Sequence, residues 1–196
     1  MKIRLIFWEI GSFIWVAMAG SAFHFSFELS EFWTPLAFFS SVNESTWEHL
    51  KMYFWPGLIY ALVQYTYTRD VANNYWYGKL ASLVMTPIGI CASFYGYLAI
   101  SLPLYGTGFF RMDLLTMVIG LTLGSVVAYK IMIKPPLSKP TKNAVLTGYL
   151  VMLAMFSTFT YYPPKIFLFE NYFGYEYSGE YGILEDYEPY RVFRKE

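Results

Sequence analysis

The sequence predicts an all-α fold: a polytopic integral membrane helical bundle of about five transmembrane helices, with its N-terminus inside and its C-terminal tail outside. Three observations carry that expectation. Of the 196 residues only 14% are charged, against 56% hydrophobic and 22% aromatic; soluble domains carry about a quarter charged residues, so this chain has too few to cover a globular surface and the wrong bias for disorder. Apolar stretches close to the roughly 20 residues that cross a hydrocarbon core as a helix occupy 5–23, 52–68, 80–100, 114–133 and 144–162. Finally, the basic residues are distributed unequally. With the N-terminus inside, Lys2, Arg4, Arg69, Lys79, Lys130, Lys134, Lys139 and Lys142 fall on the inner flanks, against Lys51, Arg111 and Lys165 on the outer ones, as the positive-inside rule requires.

The first stretch follows Lys2 and Arg4 and ends in Ala19, Gly20, Ser21 and Ala22, which gives it the outline of a signal peptide. Its length, its Glu9 and the stretches that follow predict a retained helix instead. The segment 25–42 is aromatic throughout and contains Pro35, which prevents one continuous helix; it is expected to lie in the outer interface or to dip partway into the bilayer. Pro56 and Pro87 predict kinks in the second and third helices. In the fourth, Gly120 and Gly124 form a GxxxG, a pattern that lets backbones approach closely and reads first as packing, with self-dimerisation as the alternative. The tail 166–196 is rich in Tyr among Gly and Glu and is expected to fold back over the outer end of the bundle. The organisation is therefore a transmembrane domain over 1–165 and an extracytoplasmic tail over 166–196. No internal repeat supports an inverted-repeat transporter, and solute permeation would need a homo-oligomer, because five short helices enclose little.

Several function classes are excluded or unsupported. A formal charge of zero argues against nucleic acid, whose affinity comes mainly from neutralised phosphates. The single cysteine, Cys91, excludes an intrachain disulfide or a cysteine-rich metal cluster. No nucleophile elbow, phosphate loop or Asp-rich motif is present.

Ionisable groups at the edge of membrane spans suggest function by default, and the densest cluster runs from Asn43 through Glu44, Ser45, Thr46, Trp47, Glu48 and His49 to Lys51. One reading is a helix start: Ser45 and Glu48 have capping-box spacing, and Glu48 can pair with Lys51 at i+3. Asn43-Glu44-Ser45 also matches a glycosylation sequon. Topology adds to the reading as a site. The first helix ends outside at His24 and the second begins outside near Ser45, so antiparallel neighbours bring the chain's two histidines to one level. His24, Glu44, Glu48 and His49 are then candidate ligands for one divalent metal ion such as Zn, Mn or Fe, and Asn43, Arg111 and Asp113 candidate binding residues beside them. The metal-free alternative uses Glu44, Glu48 and His49 catalytically, with a carboxylate as base, His24 or His49 as acid and Arg111 holding an anion. Glu9 stands apart, about 22 Å along the helix from His24 at 1.5 Å per residue, and is expected to pair with Lys130 or Arg69, with a proton relay as its alternative role. Gln64 and Thr66 are expected to line the same inner crevice.

Phe23-His24-Phe25, the string Phe39 to Lys51 with its Asn43-Glu44-Ser45-Thr46-Trp47-Glu48-His49 core, Phe54-Trp55-Pro56, Phe159 to Pro164 and Glu180-Tyr181-Gly182-Ile183 together resemble a family of small prokaryotic multi-pass membrane proteins catalogued as a domain of unknown function. The resemblance implies a polytopic membrane protein and supplies no reaction; the residues beyond Ile183 look like an extension. The function expected is a polar His/Glu site at the outer leaflet of the cell membrane that binds a cation or polar lipid headgroup, with hydrolysis of a lipid-linked substrate as its enzymatic form. The alternative is a structural or assembly subunit in which the cluster is a cap and the tail docks a membrane-protein partner.

Overall fold

Each of the five apolar stretches lies within or largely overlaps one α-helix: α1 Lys2–Leu29, α2 Thr46–Thr68, α3 Tyr75–Tyr105, α4 Phe110–Met132 and α5 Lys139–Thr158. The computed structural model describes residues 2–193, apart from the side chains of 139 and 140; Arg194, Lys195 and Glu196, at the end of the expected tail, lie outside the described residues. Three helices, α1, α3 and α4, are long and apolar enough to cross a membrane. The other two carry polar ends: α2 opens with Glu48, His49 and Lys51, and α5 with Lys139, Lys142 and Asn143. Pro56 and Pro87 fall inside α2 and α3, which run on through them.

The all-α expectation needs one correction. The tail contains an antiparallel hairpin, β1 Glu170–Phe173 and β2 Glu176–Tyr181. Tyr172 and Tyr177 face each other in register, their rings stacked at 4.6 Å and their hydroxyls hydrogen-bonded at 2.9 Å, so alternate tyrosines that read as an aromatic tail are a cross-strand pair. The connection after α1 is also shorter than expected. The helix continues past Phe23 to Leu29, and a turn with Glu31 and Phe32 at φ 55° and 60° leads into a 3-10 turn over Thr34–Phe38 with Pro35 as its second residue. Proline there loses no hydrogen bond, because the first amide the turn uses is that of Leu36, which donates to the Trp33 carbonyl.

The chain divides into two compact units. The first combines residues up to Ala17 with Pro56–Val151, the second Met18–Trp55 with Met152 onward. Within the first unit, α3 and α4 form a tight helical hairpin whose reversal uses Gly106 at φ 70°. The GxxxG of α4 is spent inside the chain: a Cβ on Gly120 would lie 2.7 Å from the Thr86 carbonyl, and one on Gly124 would strike the Thr86 hydroxyl and come within 2.9 Å of Ser82 Oγ. Gly124→Leu is therefore expected to destabilise the protein by about 1–3 kcal/mol or more, while Gly96→Ala, where an added Cβ meets nothing within 4 Å, is neutral or slightly stabilising; thermal unfolding in detergent compares the two.

The same unit contains a buried polar cluster. Glu9 Oε1 accepts from Lys79 Nζ at 2.6 Å and from the Gln64 amide at 2.8 Å, and all three residues are buried. Lys79, not Lys130 or Arg69, is the partner of Glu9. Arg69 is exposed, and Arg4 instead takes Asp70 at 2.9 Å. An exposed cation loses little in water, whereas a carboxylate sealed among helices needs a cation sealed with it, and Lys79 is the one α3 supplies. Gln64 belongs to this cluster; Thr66 is exposed and bonds back to Val63.

Candidate functional site

The second unit contains the string Asn43 to Lys51, and its residues divide between scaffold and surface. The turn before α2 is tied to the tail by backbone and amide contacts. Asn43 Nδ2 donates to the Gly182 carbonyl at 2.7 Å while its Oδ1 accepts from the Ser45 amide at 2.8 Å; the residue is buried, so the sequon is not presented. Asn171 of β1, fully buried, accepts from the Glu44 amide at 2.9 Å. The Trp47 amide donates to Leu168, and the Trp47 ring packs among Phe156, Phe159 and Phe169 at 4.5, 5.4 and 4.8 Å. In the tail, burial pushes the Tyr187 phenol up to about 12, so it stays neutral while its oxygen accepts from the Leu184 amide.

Glu48 belongs to this scaffold. Half of the capping box forms, with the Glu48 amide donating to Ser45 Oγ at 3.3 Å, but the Glu48 carboxylate does not return to the Ser45 amide, which Asn43 has taken. It turns inward. Its Oε1 accepts from Thr160 Oγ1 at 2.7 Å, and its Oε2 from Lys51 Nζ at 2.5 Å and the Val42 amide at 3.2 Å. Lys51 Nζ spends its other two protons on the Ala37 carbonyl at 2.7 Å and Thr160 Oγ1 at 2.9 Å. Lys51 is 0% and Glu48 2% exposed, and every ammonium proton has an acceptor, as a buried cation requires.

Glu44 and His49 remain on the surface, and His24 of α1 meets them. A Cβ on Gly20 would lie 2.9 Å from the Met52 carbonyl, so α1 and α2 touch backbone to backbone one turn from each histidine. The rings of His24 and His49 have centroids 5.2 Å apart. His24 Nε2 lies 3.8 Å from Glu44 Oε1 and His49 Nε2 3.5 Å from Glu44 Oε2, and one ligand atom from each of the three residues falls within 4.8 Å of the others.

The chemistry of that triangle follows from His49. Its Nδ1 lies 2.9 Å from the Ser45 carbonyl; a carbonyl only accepts, so Nδ1 carries a proton, and in the singly protonated ring Nε2 turns a lone pair toward a carboxylate. Two acceptors facing each other need a proton or a cation between them. The separations are long for a hydrogen bond, yet two ligand atoms about 2.1 Å from a tetrahedral metal stand about 3.4 Å apart. His24 Nδ1 is buried with no hydrogen-bond partner among the described residues. Side-chain exposures of 24% for His24, 34% for His49 and 48% for Glu44 leave the triangle open on one side.

The structure thus brings together His24, Glu44 and His49 of the sequence-derived candidates. Glu48 stands in its own network, and Asn43 serves the turn. Arg111 and Asp113 belong to the first unit, where the Tyr97 hydroxyl bonds Asp113. Thr160 and Asn171, which hold the turn from far along the chain, carried no sequence signal beyond being polar among aromatics. Residues 4–183 match the model of a family described as "Family of unknown function (DUF6512)", and no curated protein or solved structure matches the chain.

Proposed function

The chain belongs to this DUF6512 family of unknown function, and we propose that it is a multi-pass membrane protein holding one divalent metal ion at the outer leaflet with His24, Glu44 and His49. The observation that carries the proposal is the convergence of the three ligand atoms within 4.8 Å around an imidazole already oriented by the Ser45 carbonyl, the kind of second partner that metal-bound histidines almost always have. Two histidines and one glutamate form a ligand set known from zinc hydrolases, where three protein ligands leave a coordination position for water or substrate. The solvent-facing side of the triangle supplies that position. A metal there would take an anionic headgroup oxygen as ligand, or lower the pKa of a bound water to about 7 for hydrolysis of a lipid-linked substrate. Glu48 has no role in that chemistry beyond holding Glu44 and His49 in place.

Metal analysis of detergent-purified protein tests the assignment. The wild type is expected to carry close to one equivalent of zinc or manganese, and His24→Ala and Glu44→Gln to lose it while keeping wild-type helicity. Metal-free wild type, or metal retained by both variants, rules the site out.

A further inference from the structure

Glu28 lies four residues after His24 on α1, the spacing at which two side chains share one helix face and can reach one metal ion, as the two histidines of a His-x-x-x-His pair do. It is nevertheless absent from the triangle. Both of its oxygens are taken by the far end of the tail: Oε2 accepts from the Val192 amide at 3.1 Å and Oε1 from the Phe193 amide at 2.6 Å.

The segment that does this lies beyond residue 183, where the family match ends, and it is fastened to the turn after α1. Tyr187 stacks on Phe32 at 4.4 Å and 12°. Arg191 lies over the same ring at 5.0 Å and faces Glu31 at 3.5 Å. Glu31 and Phe32 are the two non-glycine residues with positive φ among the described residues, a conformation that costs energy and persists only when its surroundings impose it. The strap also reaches the site through rings: Phe193 packs edge-on against Phe25 at 5.6 Å, and Phe25 against His24 at 4.7 Å. Its tip is solvent-exposed, Val192 by 64% and Phe193 by 45%, so it can leave Glu28 without opening a buried core, while hydrogen bonds to a charged carboxylate are stronger than neutral ones and hold it there.

We infer that Glu28 is a fourth metal ligand withheld by the C-terminal strap. This rests on the metal site proposed above. With the strap latched, the site has three protein ligands and an open position. With the strap released, Glu28 joins His24, Glu44 and His49, and the metal is held by four protein ligands with its reactive position closed, so the strap keeps the site open to substrate.

The test is zinc affinity of the detergent-purified full chain, measured by competition with a chromophoric chelator, for the wild type, Val192→Pro and a chain ending at Ile183, each with and without Glu28→Gln. Val192→Pro deletes one latching amide, and the extended backbone of Arg191, φ −63° and ψ 126°, already suits a following proline. Both strap variants are expected to bind zinc at least tenfold more tightly than the wild type, and Glu28→Gln to cancel the gain. Zinc bound by the wild type with unchanged affinity in Val192→Pro, or a gain that survives Glu28→Gln, overturns the role of Glu28 and leaves the three-ligand site standing. Zinc not bound by the wild type overturns both. Should the shortened chain fail to fold, Val192→Pro alone decides.

Discussion

Lys51→Met is expected to lower the unfolding free energy by about 3–5 kcal/mol, the cost of removing one partner from a buried ion pair. Lys51 is fully buried against Glu48 at 2.5 Å, and without the ammonium the carboxylate keeps only Thr160 Oγ1 and the Val42 amide. Glu48→Ala should cost a similar amount, because it strands the lysine. A reciprocal cap would lose about 1 kcal/mol, so the size of the effect separates the two roles of Glu48, and chemical denaturation in detergent measures it. The double variant Glu48→Met with Lys51→Met should remain well below wild type. The pair also satisfies the Val42 amide, the Ala37 carbonyl and the Thr160 hydroxyl, each of which costs about 1–3 kcal/mol when left buried and unpaired. Recovery to wild-type stability in the double variant would count against a scaffold role.

What the sequence made legible follows the range of the interaction. Apolar runs located all five helices because the length of an apolar run is a purely local signal. The approach of His24 to His49 was also accessible, since consecutive antiparallel helices place the end of one beside the start of the next. Partner identity was not. Glu48 has capping-box spacing to Ser45, yet the nearer side chain of Asn43 takes the Ser45 amide and Thr160, 112 residues away, takes Glu48. Asn171 reaches Glu44 through a hairpin whose register depends on tertiary packing. The first helix runs on past the expected boundary for a local reason: Ser26, inside the segment 25–42 expected to connect the first two helices, bonds back to the Phe23 carbonyl and across to Ser40, so its hydroxyl is satisfied inside a helix that continues to Leu29.

The Glu9–Lys79 pair should behave differently from Glu48–Lys51 under the same operation. Lys79→Met is expected to cost about 3–5 kcal/mol, since Glu9, already with Oε2 unpartnered among the described residues, would keep only the Gln64 amide. In Glu9→Leu with Lys79→Met, however, no backbone group among the described residues loses a partner: there, Glu9 accepts from Lys79 and Gln64, and Lys79 donates to Glu9. Replacing both members by apolar residues of similar size removes two desolvated charges together, an exchange that is often neutral or stabilising. The double variant should therefore recover to within about 1–3 kcal/mol of wild type, the remainder being the stranded Gln64 amide. The coupling energy of the four-variant cycle, read from unfolding in detergent, isolates the pair from its surroundings. A buried pair that adds no stability over an apolar one while sitting among apolar helices is retained for another reason. If the double variant is stable yet loses the protein's cellular role, Glu9 and Lys79 constitute a functional element of the first unit; if it stays several kcal/mol below wild type, their role is structural.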